Sequence, residues 1–150
     1  MKYLLILVGM SMLLLGCAGM GQTTTTPSRS HDPQAVIGKT WQWVGTVTPV
    51  ENIDVKQPER YTLRFDEKGR LQAKFDCNRG GGGYQISEGK LSFGPMMSTR
   101  MACPEDSLDY VFMKHLNEVT SFFVEGDWLY LELPTDGGTL KFKHQADDDE

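Results

Sequence analysis

Few residues in this chain are equipped for covalent chemistry. Three cysteines, Cys17, Cys77 and Cys103, and three histidines, His31, His115 and His144, are scattered over 150 residues. A nucleophile needs a base within hydrogen-bond reach, and no histidine stands at a recognisable catalytic spacing from a cysteine or serine. Asp76 with Glu105 or Asp109 has the chemistry to flank a cleft as acid and base, yet acids this frequent are usually solvated surface groups. The run Gly80, Gly81, Gly82 and Gly83 has the composition of a phosphate cradle without the strand–loop–helix setting and the Lys-Ser/Thr that such a cradle requires. Gly38-Lys39-Thr40 has the tail of that motif, but Pro33 stands where the earlier glycine must be. Zinc sites usually place a second Cys or His about two to four residues from the first, and neither Cys77 nor Cys103 has one. These residues give no catalytic set, no metal site and no cofactor.

Cys17 has a different use. Lys2 is a short positive start, Tyr3 to Leu15 are almost wholly apolar, and Gly16 is a small residue before a cleavage point. That is the layout of a secretory signal, too short for a comfortable membrane span of ~20 residues. Leu14-Leu15-Gly16-Cys17 resembles the lipobox of bacterial lipoproteins, in which the thiol is acylated and the chain is cut just before it; Leu15 is bulky for its slot. An ordinary signal with a chance cysteine is the plainer alternative. Each buried methylene contributes ~0.8 kcal/mol, so a multiply acylated Cys17 would hold the chain to membrane lipid almost permanently. The expectation is a Gram-negative lipoprotein facing the periplasm. Ala18 after the cysteine, instead of Asp, favours the outer membrane.

With residues 1–16 removed, the chain is long enough for one domain and too short for two. It carries 15 basic and 20 acidic residues, a formal charge of −5, and losing Lys2 makes it one unit more acidic. An acidic chain without a basic stripe excludes nucleic acid as the natural partner. The overall charge likewise opposes attachment to anionic headgroups by electrostatics. In an exported chain two remaining thiols, Cys77 and Cys103, invite a disulfide; two separate buried thiols stay open as the alternative.

Residues 17–37 are small and polar, with Thr23 to Thr26, Pro27 and Pro33, and read as a lipidated cysteine followed by a flexible tether. Residues 145–150 end in Asp147, Asp148, Asp149 and Glu150, an acidic tail. Between them period-two alternation dominates. Tyr61-Thr62-Leu63-Arg64-Phe65 is a half-buried strand, and Leu71, Ala73, Phe75 and Cys77 share a face of the next. Further strands are expected at Thr40–Val44, Tyr84–Ser87, Leu91–Phe93, Ser121–Val124, Trp128–Leu133 and Thr139–Lys143, punctuated by glycine-containing turns. Pro104, Glu105 and Asp106 suit the first turn of a helix, and Leu108, Val111, Phe112, Leu116 and Val119 follow at helical spacing. Lys114 and His115 would place positive charge near its C-terminal end. The fold expected is α+β: a curved antiparallel sheet or open β-barrel with one amphipathic helix packed against it.

One stretch carries a family signature. Cys77-Asn78-Arg79, the four glycines Gly80 to Gly83 and Tyr84 lead into Gly94-Pro95-Met96 and Thr99-Arg100-Met101-Ala102-Cys103. This resembles the META/HslJ domain family of bacterial envelope lipoproteins, some of them heat-shock-inducible. The likeness runs from Gly38-Lys39-Thr40-Trp41 to Lys143, so residues 38–144 are taken as the domain. Asp76, where many relatives have glycine, and the longer glycine run are departures. The resemblance implies a Cys77–Cys103 bridge, a tight turn formed by Asn78, Gly80, Gly81, Gly82 and Gly83, and Thr99-Arg100-Met101 pinned beside the bridge. It also implies a link to envelope stress and antibiotic tolerance, a shape related to pilot lipoproteins, and no catalytic residues to carry over.

Three further side chains have a possible role in binding a partner. Arg100 either anchors an anionic group or pairs with an acid such as Asp76 or Glu105. Trp128 and Tyr130 face away from Leu129 and Leu131, and exposed aromatics on a strand mark an interaction surface. Met96, Met97 and Met101 read as core filling before they read as a peptide groove. The function expected is a non-catalytic envelope lipoprotein supporting stress tolerance through protein binding. The alternative is a pilot- or inhibitor-type lipoprotein recognising one partner, such as a secretin or a cell-wall hydrolase.

Overall fold

Alternating sequences give strands with one apolar face, and such faces must be covered or curled onto each other. In the computed structural model, which describes residues 28–146, they curl completely. The strands are β1 Thr40–Val47, β2 Asn52–Asp54, β3 Tyr61–Phe65, β4 Arg70–Phe75, β5 Asn78–Ser87, β6 Lys90–Phe93, β7 Met97–Ser98, β8 Ser121–Glu125, β9 Trp128–Glu132 and β10 Thr139–Gln145. Among the described residues one α-helix, α1, spans Asp109–Asn117. Cys17, the leader and the last four acids lie outside the described residues.

Eight strands, β1-β3-β4-β5-β6-β8-β9-β10, form an antiparallel ring that closes because β10 pairs back along the length of β1. The barrel is thus closed, where an open or merely curved sheet was expected, and the architecture is mostly β. β1 makes this possible by being long. Its first residues pair with β3, its last with the short β2, and β10 takes its other edge throughout. β7 lies on β5 outside the ring.

Inside the ring, Trp41, Trp43, Leu63, Phe65, Leu129 and Phe142 are fully buried. The helix closes one mouth. Phe112 and Leu116 are fully buried, and the Phe112 ring stacks on Trp43 with centroids 4.7 Å apart and planes within 13°. Tyr61, Phe75 and Phe142 surround that ring at 5.8, 5.7 and 6.0 Å. The helix starts at Asp109, five residues later than its acidic prelude suggested, because Ser107 N–H bonds back to the Pro104 carbonyl in a separate turn. Leu108 N–H then donates to the Tyr61 hydroxyl at 2.8 Å, tying the helix entry to the barrel wall.

The thinnest part of the wall is between β6 and β8, which share one strand pair, Lys90 with Ser121. The N-terminal lead-in fills this gap. Ser30 and Val124 exchange two backbone hydrogen bonds of 2.8 Å, and the His31 ring donates from Nδ1 to the Phe122 carbonyl at 2.6 Å. A short 3-10 turn at Pro33–Ala35 is capped by Asp32, and Val36 is fully buried. Residues 28–37 therefore belong to the domain and not to a free tether, and Gln145, assigned to the acidic tail, ends β10.

Replacing Phe112 by Ala removes the centre of the aromatic plug. It should destabilise the domain by about 3–5 kcal/mol in equilibrium denaturant unfolding. A loss below about 1 kcal/mol would mean that the mouth is not closed by this ring.

Candidate functional site

The signature residues converge at the start of β5. Cys77 and Cys103 form a disulfide with their Cα atoms 5.5 Å apart. Cys77 does not continue the inward face of β4. Asp76 adopts a left-handed backbone (φ 60°) that ends the alternation, and Cys77 is half-buried. Asn78 is buried and uses its amide fully. Its Oδ1 accepts from Thr99 Oγ1 at 2.9 Å and from Met101 N–H at 2.8 Å, while Nδ2 donates to the Met101 carbonyl at 3.2 Å. Asp109 at the start of α1 is 3.4 Å from the same Nδ2. One side chain thus joins β5, the 99–103 segment and the helix entry, and a buried amide this well satisfied stabilises the arrangement it spans.

The tight turn expected of Asn78, Gly80, Gly81, Gly82 and Gly83 is not there: all five residues are strand. On one edge Asn78 pairs with Phe75 of β4, Gly80 with Ala73, Gly81 with Gln72, Gly82 with Leu71 and Gly83 with Arg70. On the other edge Gly80 and Gly81 pair with β7. The turn sits one step earlier, at Asp76-Cys77. Close approach is what requires the glycines. A Cβ on Gly80 would meet the Met97 carbonyl oxygen at 1.9 Å, and one on Gly82 would meet that of Pro95 at 2.8 Å.

Arg100 forms no ion pair among the described residues and is exposed. The acid proposed for it, Asp76, is taken by Arg60, which approaches with Nε and Nη2 both at 2.5 Å in a two-pronged contact. Arg60 also reaches Asp106 at 3.2 Å. Hydrogen bonding from Arg60 holds the buried Asp76 carboxyl below the usual carboxylate range, and the same bonds raise the guanidinium further. Arg60 carried no local signal, since it sits between Pro58-Glu59 and the strand. Of the acids considered with Asp76, Glu105 is exposed and Asp109 is half-buried beside Asn78. Three or more His, Cys, Asp or Glu side chains do not gather as a metal site among the described residues.

Beside the bridge, Asn78, Thr99, Arg100, Met101, Tyr110 and Met113 line an open cleft of about 390 Å³. Met101 and Tyr110 stand out from its lining, 58% and 78% exposed, and Met97 on β7 is 79% exposed outside it. Only Met96 of the three methionines packs against the core as expected. The arrangement offers flexible thioethers, one phenol and one free guanidinium on a clamped backbone. That equips it to bind an apolar surface carrying an anion.

Trp128 and Tyr130 belong to another surface, the outer wall of β9, and both are half-buried. Tyr130 stacks on Phe123 at 4.6 Å, and Lys141 Nζ lies 3.9 Å from the Trp128 ring centre. His115, expected to add positive charge to the helix end, is instead buried with Nδ1 lacking a partner. Its spacing from Phe112 and Val119 already placed it on the apolar stripe. Burial lowers its pKa from 6.5.

A family model described as META domain matches residues 34–147. Among solved structures, one of a protein from Burkholderia xenovorans is similar with a TM-score of 0.64 and 24% identity, covering 75% of this chain and 86% of that one. A second structure, determined by NMR, has a TM-score of 0.58 and 22% identity over 75% and 93% of the two chains. A DUF4847 family protein from Bacteroides vulgatus matches with a TM-score of 0.56 and 14% identity over 77% and 98%. These likenesses show the fold alone. No curated protein matches the chain.

Two outcomes follow from the buried ionisable groups. Because folding lowers the His115 pKa, the unfolded chain takes up the proton first. Stability is complete above about pH 6.5 and falls as pH drops below it, a loss that His115→Leu should abolish in pH-dependent thermal unfolding. Arg60→Ala strands the buried Asp76 carboxylate and should lower the unfolding midpoint in the same assay. Adding Asp76→Gly should restore most of the loss, since glycine adopts the positive φ without strain.

Proposed function

Because the chain belongs to the META domain family, we propose that it is a non-catalytic envelope lipoprotein whose domain supports stress tolerance by binding another envelope protein. Acylated Cys17 would fix it to membrane lipid, most simply at the outer membrane facing the periplasm. The observation that carries the binding reading is the exposed Met101 and Tyr110 lining the cleft. Large apolar side chains held out on a clamped segment favour contact with a partner. Arg100 adds specificity for an anionic group on that partner, because it is unpaired among the described residues. The barrel interior is filled by aromatic rings, which supports recognition on the outside surface.

A pilot- or inhibitor-type role is the second reading. It is favoured by the local character of the cleft, one small site of about 390 Å³ beside a rigid bridge. A photo-crosslinker replacing Tyr110 in living cells tests both. Adducts with envelope proteins are expected, diminished by Arg100→Glu, while the same probe replacing exposed Glu67 gives none. A single stoichiometric adduct would identify the pilot or inhibitor type; no Tyr110 adduct under heat or detergent stress would sink both.

A further inference from the structure

Rings and cations alternate on the outer wall formed by β8, β9 and β10. Phe123, Tyr130 and Lys141 stand directly opposite one another across the three strands, and Trp128 pairs with Lys143 in the next row. Lys141 Nζ is 3.9 Å from the Trp128 ring centre and 5.7 Å from that of Tyr130, while Lys143 Nζ is 6.0 Å from Trp128. Arg29 covers Phe123 at 4.5 Å. None of these three cations makes an ion pair among the described residues. Among the described residues the acids here lie at the margins of the wall: Glu125 opposite Trp128, Asp127 in the β8–β9 turn, and Glu132, bonded to the Ser121 hydroxyl. A chain with a formal charge of −5 thus concentrates cations and amphipathic aromatics on one face. Trp, Tyr, Lys and Arg are the side chains that settle at a membrane–water boundary, apolar body inward and polar end toward headgroups.

The path of the chain points the same way. Ser30 is hydrogen-bonded to Val124 of β8, so the lead-in leaves the barrel beside this wall. From Arg29 back to Cys17 the backbone reaches at most about 40 Å. We propose that this wall, through Arg29, Trp128, Tyr130, Lys141 and Lys143, rests on an anionic phospholipid surface and orients the domain there. The proposal rests on the reading that Cys17 is acylated, and it leaves the Arg100 cleft, on a different part of the surface, for a protein partner.

Trp128 makes the test direct, because Trp41 and Trp43 are fully buried in the barrel. The mature acylated protein is reconstituted into vesicles of phosphatidylethanolamine and phosphatidylglycerol with brominated acyl chains, which quench only nearby indoles. Trp128→Phe defines the background emission. Quenching of Trp128 is expected, weakened by high salt and in all-phosphatidylcholine vesicles. Each basic residue near such a surface contributes about fivefold to partitioning, so Lys141→Glu with Lys143→Glu should release the wall while Cys17 stays inserted. Arg29→Glu, outside the strands, gives the same readout with the barrel wall untouched. Protein that floats with the vesicles yet shows unquenched Trp128 overturns the orientation alone. Quenching indifferent to lipid charge and to the Glu variants also overturns it. Protein that does not float overturns the anchor reading and this inference with it.

Discussion

The backbone of β5 passes so close to its neighbours that no side chain fits between them, and much of the remaining architecture depends on this contact. A Cβ on Gly80 would lie 1.9 Å from the Met97 carbonyl oxygen, and one on Gly81 would lie 1.9 Å from that of Leu71. Glycine removes the obstacle at a cost in chain entropy that packing must offset. The segment carrying Met97 can then lie on β5, where Asn78 holds Thr99 and Met101 and the disulfide fixes Cys103. The turn at Pro104 to Ser107 follows at once, and its exit is bonded to Tyr61. Only from that starting point does Phe112 reach the barrel mouth and stack on Trp43. Glycine contact, clamp, helix entry and plug are successive consequences of one close approach.

The same corner accounts for Asp76. Where the resemblance places glycine in many relatives, this chain must hold a side chain at φ 60°. Aspartate is among the residues that tolerate that conformation, because its short polar side chain bonds locally. Here it gains more than local bonding. Its N–H reaches the Arg60 carbonyl at 2.7 Å, and its carboxylate receives the Arg60 guanidinium. Backbone and side chain both join the β4–β5 corner to the entry of β3. The strain of the turn is offset by a contact that glycine could not make.

Much of this was legible in the residues, and the failures have physical causes. Alternation located the longer strands because a half-buried sheet imposes it directly; Tyr61–Phe65 is the clearest case. Closure was not legible, since it depends on β1 and β10, distant strands whose patterns would be equally at home on the two edges of an open sheet. The glycine run misled because freedom of φ and lack of bulk have one sequence signature. Only the positions of Met97 beside Gly80 and of Pro95 beside Gly82 tell which was needed. Val36 was hidden among small polar residues, yet one fully buried valine and two hydrogen bonds from Ser30 suffice to attach the lead-in. The exposed methionines looked like core by composition, but Met97 lies on a two-residue strand outside the ring, where no second layer among the described residues covers it.

Attachment of the lead-in also changes how a force on the N-terminus would act. A free leash transmits tension to the first ordered residue and permits any orientation. Here the chain enters through the gap between β6 and β8, where the ring has one strand pair of its own and borrows Ser30 as a second partner for β8. The His31 contact to Phe122 seals the same seam. Tension along the lead-in is therefore passed to β8, to which Ser30 is bridged antiparallel, at the least stitched point of the barrel. Hydrogen bonds loaded side by side share a force that bonds loaded in turn would meet singly, and Ser30 supplies two at one position. The seam is consequently both the least stitched wall of the barrel and the place where the lead-in joins it.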